Sequence, residues 1–425
     1  MKTGDKSIIA LSTWTGFLTR QPRDWILTAT RSSIFRFFYQ MVLPYLSIYT
    51  LALGASGTQL GMVNSIGMVA AGLLGPLTGW LIDRIGNKAI YLIGIVLLIL
   101  SWFLYSIAQS WPIIIAAMLA YWIGFGTSMH SCTVICGSSL LNEDRATAMS
   151  ICETLAAGLL GILGPMLGAF LVARFGGVTV EGIRPLFYIC LVGNVFTFFM
   201  ILIWLPGQKE SRQGGQSPNL FKGISQVFEK GKGLKRFLVI NAISYIPHGM
   251  IIPFTQAFAN EIKGADTYTL GAMVTGFALT PFFLGIPVGR LADRVGRKKL
   301  LYALAPLVWL SNVMIVWAPN SLFLILAGIV QGFIFVQSVL TTTMLFEIVP
   351  TEHLGRWLGI NRLFRLILAA VSAYVAGAIW DNIGPAYLFL VFIIIDLFIR
   401  IPLLISIPET IGLKHDEDKQ DQQVT

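Results

Sequence analysis

The sequence predicts an all-α membrane protein with twelve transmembrane helices, arranged as two pseudo-symmetric six-helix bundles. Three observations carry that prediction. The first is composition: of 425 residues, 55% are hydrophobic and 12% charged, with a mean hydropathy of +0.74. Soluble domains are about 25% charged, so an ordinary soluble protein, a disordered chain and a nucleic-acid-binding domain are excluded. The second is a series of twelve apolar segments, most longer than the ~20 residues a helical span requires. The third is a block of Gly, Asp and basic residues that occurs twice, half a chain apart. A membrane β-barrel is excluded, because its strands would read as ~10-residue segments of alternating polarity.

In chain order, residues 1–25 form a cytoplasmic N-terminal segment. Its apolar stretch from Ile8 to Leu18 is short, lacks a small-residue cleavage site and runs into Thr19-Arg20-Gln21-Pro22, so it reads as an interfacial segment. Spans at roughly 26–50, 58–81, 89–108, 112–138, 146–173 and 185–205 make an N-terminal bundle, 26–206. Residues 207–236 are a basic cytoplasmic loop, in which Leu220, Ile224, Val227 and Phe228 recur at helical spacing and predict a short surface helix. Spans at roughly 237–260, 268–290, 300–318, 321–346, 357–380 and 385–407 make a C-terminal bundle, 237–408. The polar tail, 409–425, reads as disordered and cytoplasmic.

The net charge of +9 reports topology rather than an acidic partner. With both termini cytoplasmic, 22 of the 30 Lys and Arg residues fall in inner loops and tails. Only Arg174, Arg184 and Lys263 fall outside, while Arg31, Arg36, Arg362, Arg365 and Arg400 lie within spans. That asymmetry places the chain in the cell (inner) membrane with both ends inside. Cys132, Cys136, Cys152 and Cys190 sit in apolar stretches without a CxxC spacing, so no metal site is expected. No phosphate-binding GxxxxGK[ST] loop and no cofactor motif is present.

The repeat settles the predicted architecture. Gly75-x3-Gly79-x-Leu81-x-Asp83-Arg84-x-Gly86-x-Lys88 returns 210 residues later as Gly285-x3-Gly289-x-Leu291-x-Asp293-Arg294-x-Gly296-x-Lys298. Small-xxx-small pairs let helix backbones approach closely. Asp83 and Asp293 end a span, where a carboxylate can face the positive N-terminus of a neighbouring helix. Gly86 and Gly296 permit a tight turn. The block resembles the signature loop of the major facilitator superfamily, and the resemblance extends over about 26–408; Asn87 stands where the pattern prefers Arg. It implies a conformational latch made of Gly79, Asp83, Arg84 and Gly86 with Gly289, Asp293, Arg294 and Gly296. Gly158-x2-Gly161-x2-Gly164-Pro165-x2-Gly168 resembles the glycine-proline motif of the antiporter branch, but Leu160 stands where Gly is expected. A packing seam kinked at Pro165 is the equal alternative.

The resemblance also implies that the first, fourth, seventh and tenth spans line a central cavity. Arg36 lies about eleven residues into the first span, ~16 Å deep, where a charge costs about 2.5–3.5 kcal/mol and must face a cavity or a partner. Gln40 shares its face, Arg365 reaches similar depth, and Glu153 is the clearest intramembrane acid of the first half. Asn241, Ser244, Tyr245 and His248 make a polar stripe on the seventh span. The tenth span carries Gln331, Gln337, Ser338, Thr341 and Thr342, and the fourth carries Thr127, Ser128, His130 and Ser131. The expected substrate-binding set is therefore Arg36, Gln40, His130, Asn241, Tyr245, His248, Gln337 and Arg365. The candidates for proton coupling are His130, His248 and Glu153, the histidines because imidazole titrates near neutral pH. Asp396 and Arg400 read as an intrahelical ion pair with Arg400 snorkelling inward. Trp111, Trp317 and Trp380 read as an interfacial belt.

These features give a secondary active transporter that moves a small solute, such as an organic anion, by alternating access across the lipid bilayer, acting as a monomer and not as an enzyme. A proton-coupled multidrug exporter is the rival within transport; the lack of a mid-depth acid in the first span counts against it. A transport-inactive membrane receptor is the rival of another class.

Overall fold

In a bilayer no water satisfies backbone N–H and C=O groups, so long apolar runs must close their own hydrogen bonds as helices. The computed structural model of the chain describes residues 21–139, 156–206, 234–348, 354–406 and 409, and they are helical almost throughout. Glu153, Arg145, the segments 1–20 and 207–233 and the tail beyond 409 lie outside the described residues.

The elements of the first half are α1 (Arg23–Val42), a 3₁₀ turn (Leu43–Tyr45), α2 (Leu46–Ala52), α3 (Gly57–Ile85), α4 (Asn87–Ile107), α5 (Trp111–Ser139), α6 (Ala156–Arg174) and α7 (Val180–Trp204). Those of the second half are α8 (Leu234–Ile243), α9 (Ile246–Met250), α10 (Ile252–Glu261), α11 (Thr267–Val295), α12 (Arg297–Trp317), α13 (Ser321–Gln331), α14 (Phe333–Ile348), α15 (Leu354–Asn382), α16 (Tyr387–Ile395), a π-turn (Asp396–Arg400) and α17 (Ile401–Ile405). Among the described residues, ten segments are long and apolar enough to cross a membrane, and Leu160–Arg174 is a shorter apolar helix. The chain is thus an all-α, multi-pass membrane protein. α1 is not among the ten, because Arg23, Asp24, Arg31 and Arg36 lower its apolar character.

Three of the four spans expected to line a cavity are broken, each at an identifiable residue. Pro44 sits in the 3₁₀ turn between α1 and α2. Pro247 and Pro253 stand at the starts of α9 and α10. Gly332 separates α13 from α14. Proline removes a helical donor and clashes with the preceding turn, which accounts for the first two breaks, while the third falls at a glycine, a weak helix former. By contrast, α6 runs on through Pro165.

Two crossings join the halves. In the first, α3 and α15 run antiparallel. Gly61 has no room for a side chain against Ala373, Ser65 Oγ donates to the Ala370 carbonyl (2.5 Å), and Gly72 faces Leu363 and Leu366. In the second, α6 and α11 run antiparallel. Gly271 lies against Pro165 and Ala169, Thr275 Oγ1 donates to the Ile162 carbonyl (3.0 Å), and Gly161 faces Ala278. The end of the molecule at Gly57 and Asp381 is called here the capped end; the other, at the Gly86 and Gly296 turns, the basic end.

At the basic end the close approach is lost. Among the described residues, a Cβ added at Gly75, Gly285 or Gly289 would meet nothing within 4 Å. The expectation that these glycines seat neighbouring helices is therefore corrected for this conformation: the close packing lies a turn or more nearer the capped end. Trp380 is a second correction. It is 8% exposed and packs against Phe254 and Phe258 instead of lying in an interfacial belt.

Candidate functional site

A cavity of about 260 Å³ lies between the halves. The first half contributes Tyr39, Gln40, Ser47 and Thr50 from its broken first span, Asn64 and Met68 from α3, and Met118 and Trp122 from α5. The second half contributes Tyr245, His248 and Gln256 from its broken segment, Met273 and Phe277 from α11, and Gln331 and Phe335 from α13 and α14. The expected cavity spans are all present, joined by α3 and α11, which the sequence reading left out. Aromatic, methionine and aliphatic side chains together make up most of the walls. Its polar groups are mainly uncharged amides and hydroxyls, and one pair is already spent: Gln331 Nε2 donates to Thr255 Oγ1 at 3.0 Å.

A second, much smaller chamber of about 20 Å³ lies in the second half. Asn241, Ser244, Gln337, Thr341 and Arg365 line it, with Asp396 and Arg400 at its wall. Tyr245 borders both spaces. Its ring stacks on His248 with centroids 3.8 Å apart and carries the Arg365 guanidinium 4.1 Å from its centroid. Cation–π contacts of this kind contribute about 0.5–2 kcal/mol, more when desolvated.

The expected binding residues therefore separate into three groups. Gln40, Tyr245 and His248 line the cavity, while Asn241, Gln337 and Arg365 line the chamber with Tyr245. Arg36 and His130 are not among the described residues that line either space. His130 instead accepts a hydrogen bond at Nε2 from Arg362 Nη1 (2.5 Å), a contact between the halves that the spacing of the sequence did not reveal. Arg31 is 2% exposed and lies over the Phe35 and Tyr91 rings, at 5.1 and 5.3 Å. Ser128 and Ser131 are buried towards α4, where Ser128 meets Gly94 and the Ser131 carbonyl accepts from Asn87 Nδ2 (3.2 Å). They do not face the cavity as expected.

The ion pair of the last span is also different from its expected form. Arg400 does not snorkel: both partners are 3% exposed, Arg400 binds Asp396 through Nε and Nη2, and Trp309 Nε1 donates to Asp396 Oδ2 (2.7 Å). The glycines of α6 pack on α1, Gly164 against Phe37 and Gln40 and Gly168 against Met41, as a packing seam does.

At the signature loops, Gly86 and Gly296 have φ of +93° and +117°, the left-handed region glycine permits. Arg84 and Arg294 are exposed. Asp293, near the end of α11, pairs at 3.0 Å with Arg297, the first residue of α12, across the tight turn at Gly296. The N-terminus of α12 is capped instead by Glu409, which accepts from the Arg297 N–H (2.9 Å) and the Lys298 N–H (3.3 Å). The tail thus begins with a docked residue. The side chain of Asp83 lies outside the described residues.

The capped end holds a contact that the sequence reading missed. Asp381 Oδ1 accepts from the Gly57 N–H and Oδ2 from the Thr58 N–H, both at 2.8 Å, so a carboxylate on α15 caps the first turn of α3. Ser56 and Gln59 complete a capping box on the same turn. The sequence signal was present, as Ser56-x-x-Gln59 marks a helix start and Asp381 ends a span.

A multi-pass helical protein with a cavity enclosed between its two half-chains has the build of a solute transporter. The chain belongs to the major facilitator superfamily: the family model described as Major Facilitator Superfamily matches residues 32–237 and again 237–421. It is accordingly a secondary transporter of small solutes, in a transport family and not a catalytic one. Among curated proteins it is 23% identical over 376 residues to the "Multidrug resistance protein MdtG" of Enterobacter lignolyticus (strain SCF1), covering 85% of this chain and 86% of that protein. Among solved structures it resembles a mutant of the nucleoside transporter NupG (TM-score 0.77, 15% identity, 91% of this chain and 100% of that chain). It also resembles the D-xylose-proton symporter (TM-score 0.71, 14% identity, 91% and 98%). At these identities the structural likeness speaks for the fold alone.

Proposed function

We propose that the chain carries amphipathic, largely apolar solutes through the 260 Å³ cavity by alternating access, as two six-helix bundles that rock about it. The observation that supports this reading best is the lining of the cavity. Trp122, Tyr39, Phe277, Phe335, Met68, Met118 and Met273 offer adaptable apolar area, while Gln40, Asn64 and Gln256 offer uncharged hydrogen bonds. No arginine is among its described lining residues, which moves the anionic substrate from first choice to second. The name of the curated relatives, a multidrug resistance protein, agrees with a drug-like solute.

With the basic loops cytoplasmic by the positive-inside rule, the basic end faces the cytoplasm and the conformation described is closed to the outside. The Asp83 and Asp293 latches would then engage in the opposite state. Proton coupling through His130 fits one geometric fact: guanidinium can only donate, so Nε2 accepts from Arg362 while unprotonated. A proton on Nε2 breaks that bridge between the halves.

The organic-anion reading keeps one observation in its favour, the Arg365 guanidinium beside the cavity wall at Tyr245. Proteoliposomes decide between them. A proton gradient should drive flux of an amphipathic fluorescent dye but not of a small dicarboxylate. The reverse result would select the anion, and flux of neither across a wide solute panel would select the transport-inactive receptor.

A further inference from the structure

We propose that the small chamber behind Tyr245 is a binding site for a monovalent anion, either a free halide or the carboxylate head of a solute whose body lies in the central cavity. The free-anion form of the site stands if the central-cavity reading fails, whereas the carboxylate form rests on a solute held in that cavity.

The argument begins with unmet donors. Asn241 is 2% and Gln337 9% exposed, and both Asn241 Nδ2 and Gln337 Nε2 are buried with no hydrogen-bond partner among the described residues. Leaving such a donor unpaired costs about 1–3 kcal/mol, and here two from different helices border one chamber. The nearby hydroxyls do not resolve this. Ser244 Oγ donates to the Ile240 carbonyl (2.8 Å) and Thr341 Oγ1 to the Gln337 carbonyl (2.7 Å), each bonding to its own helix. Both hydroxyls keep acceptor lone pairs, but among the described residues neither bonds to these two amides, so what the two donors lack is an acceptor in reach.

Charge says which acceptor. Arg365 lines the chamber and makes no ion pair among the described residues; its contact is the Tyr245 ring. Asp396 does not neutralise it, because both its oxygens are taken by Arg400 and Trp309. Arg362, one turn away, is engaged with His130. Among its described lining residues the chamber wall therefore carries two guanidinium groups against one carboxylate, a surplus of one positive charge that an anion balances. Size limits the anion. A space of about 20 Å³ holds roughly one water-sized occupant, since one water needs about 10–15 Å³ by the same measure. A single ion or a head group fits, and a whole organic solute does not.

The test uses the purified full chain in detergent at constant ionic strength, with chloride or acetate replacing gluconate stepwise and thermal unfolding as the readout. The site requires a saturable rise in melting temperature. In Arg365→Gln the half-saturating concentration should rise at least tenfold. Gln337→Glu supplies a carboxylate of its own, so it should unfold at the anion-bound temperature without added anion and lose the dependence altogether. That second variant decides the matter should Arg365→Gln not fold. A response to chloride and acetate alike identifies a free small anion, and a response to acetate but not chloride identifies a solute's carboxylate head; both support the site. Absence of any saturable response, or one that persists unchanged in Gln337→Glu, means that the chamber holds only water and overturns the proposal.

Discussion

The two crossings between the halves are related by the 210-residue repeat, and they differ in how they are fastened. Gly61 and Ser65 of α3 correspond to Gly271 and Thr275 of α11. In both pairs the glycine admits a neighbouring helix and the hydroxyl donates to a carbonyl across the crossing. One turn or more further on, Gly75 and Gly285 both meet nothing within 4 Å among the described residues. The difference lies at the capped end. Each first turn is capped by the residue before it, Ser56 on α3 and Asp266 on α11, but α3 is also capped from the other half by the Asp381 carboxylate, whereas α11 is met from the other half by a neutral donor, the Tyr45 hydroxyl, which donates to the Thr267 carbonyl (3.1 Å). Close approach is therefore a property of the repeat, and the charged fastening belongs to one crossing. The central claim that follows is that Asp381 holds the capped end shut.

The largest effect expected is from Asp381→Ala. Hydrogen bonds to a charged group contribute about 1.5–3 kcal/mol each, so losing two should shift the equilibrium at least tenfold toward a capped end that is open. A cysteine at Ala52 should then react at least tenfold faster with an impermeant thiol reagent. Asp266→Ala, which removes only a cap within its own helix worth about 1 kcal/mol, should slow or speed that reaction little.

Next in size are Gly61→Val and Gly271→Val. Each forces a side chain into a helix crossing, at about 1–3 kcal/mol, and both should lower thermal stability and open the capped end. If only Gly61→Val did so, the second crossing would be the looser of the two. At the basic end, Gly75→Val and Gly285→Val should leave the melting temperature within about 2 °C while slowing transport, because the space they fill must close during the cycle. Smallest are Ser65→Ala and Thr275→Val. Each loses one neutral hydrogen bond, about 1 kcal/mol, and the two should match within error if the repeat governs that contact.

The fold was largely legible in the sequence. Apolar runs and the repeated Gly/Asp/Arg block are local or periodic, and the described helices follow them, although the breaks at Pro44, Pro247 and Gly332 interrupt three segments read as continuous. The site was legible in part. Gln40, Tyr245 and His248 reach the cavity because a polar residue on a cavity-facing stripe has few other places to go. Asn241 and Gln337 were found by the same rule but occupy a separate chamber, since one helix face can border two spaces. Arg36 was placed by depth alone, and depth does not fix azimuth. Asp381, Trp309 and the Arg362–His130 contact escaped because each partner is far off in sequence: 324 residues separate Asp381 from Gly57, 87 separate Trp309 from Asp396, and 232 separate Arg362 from His130. Trp380 was misplaced for the same reason, as an aromatic residue at a span end is read as interfacial until a second helix is seen to cover it.

The most direct test of the clamp is a pair of distances measured by pulsed spin-label spectroscopy, in a background with the four cysteines replaced. One pair, Ala52 with Ile383, spans the capped end; the other, Ile85 with Val295, spans the basic end, and all four residues are exposed. In the otherwise unaltered chain the capped-end pair should give a short, narrow distribution and the basic-end pair a long one. Asp381→Ala should lengthen the first and shorten the second. Unchanged distributions in Asp381→Ala would contradict the claim that this carboxylate holds the capped end closed.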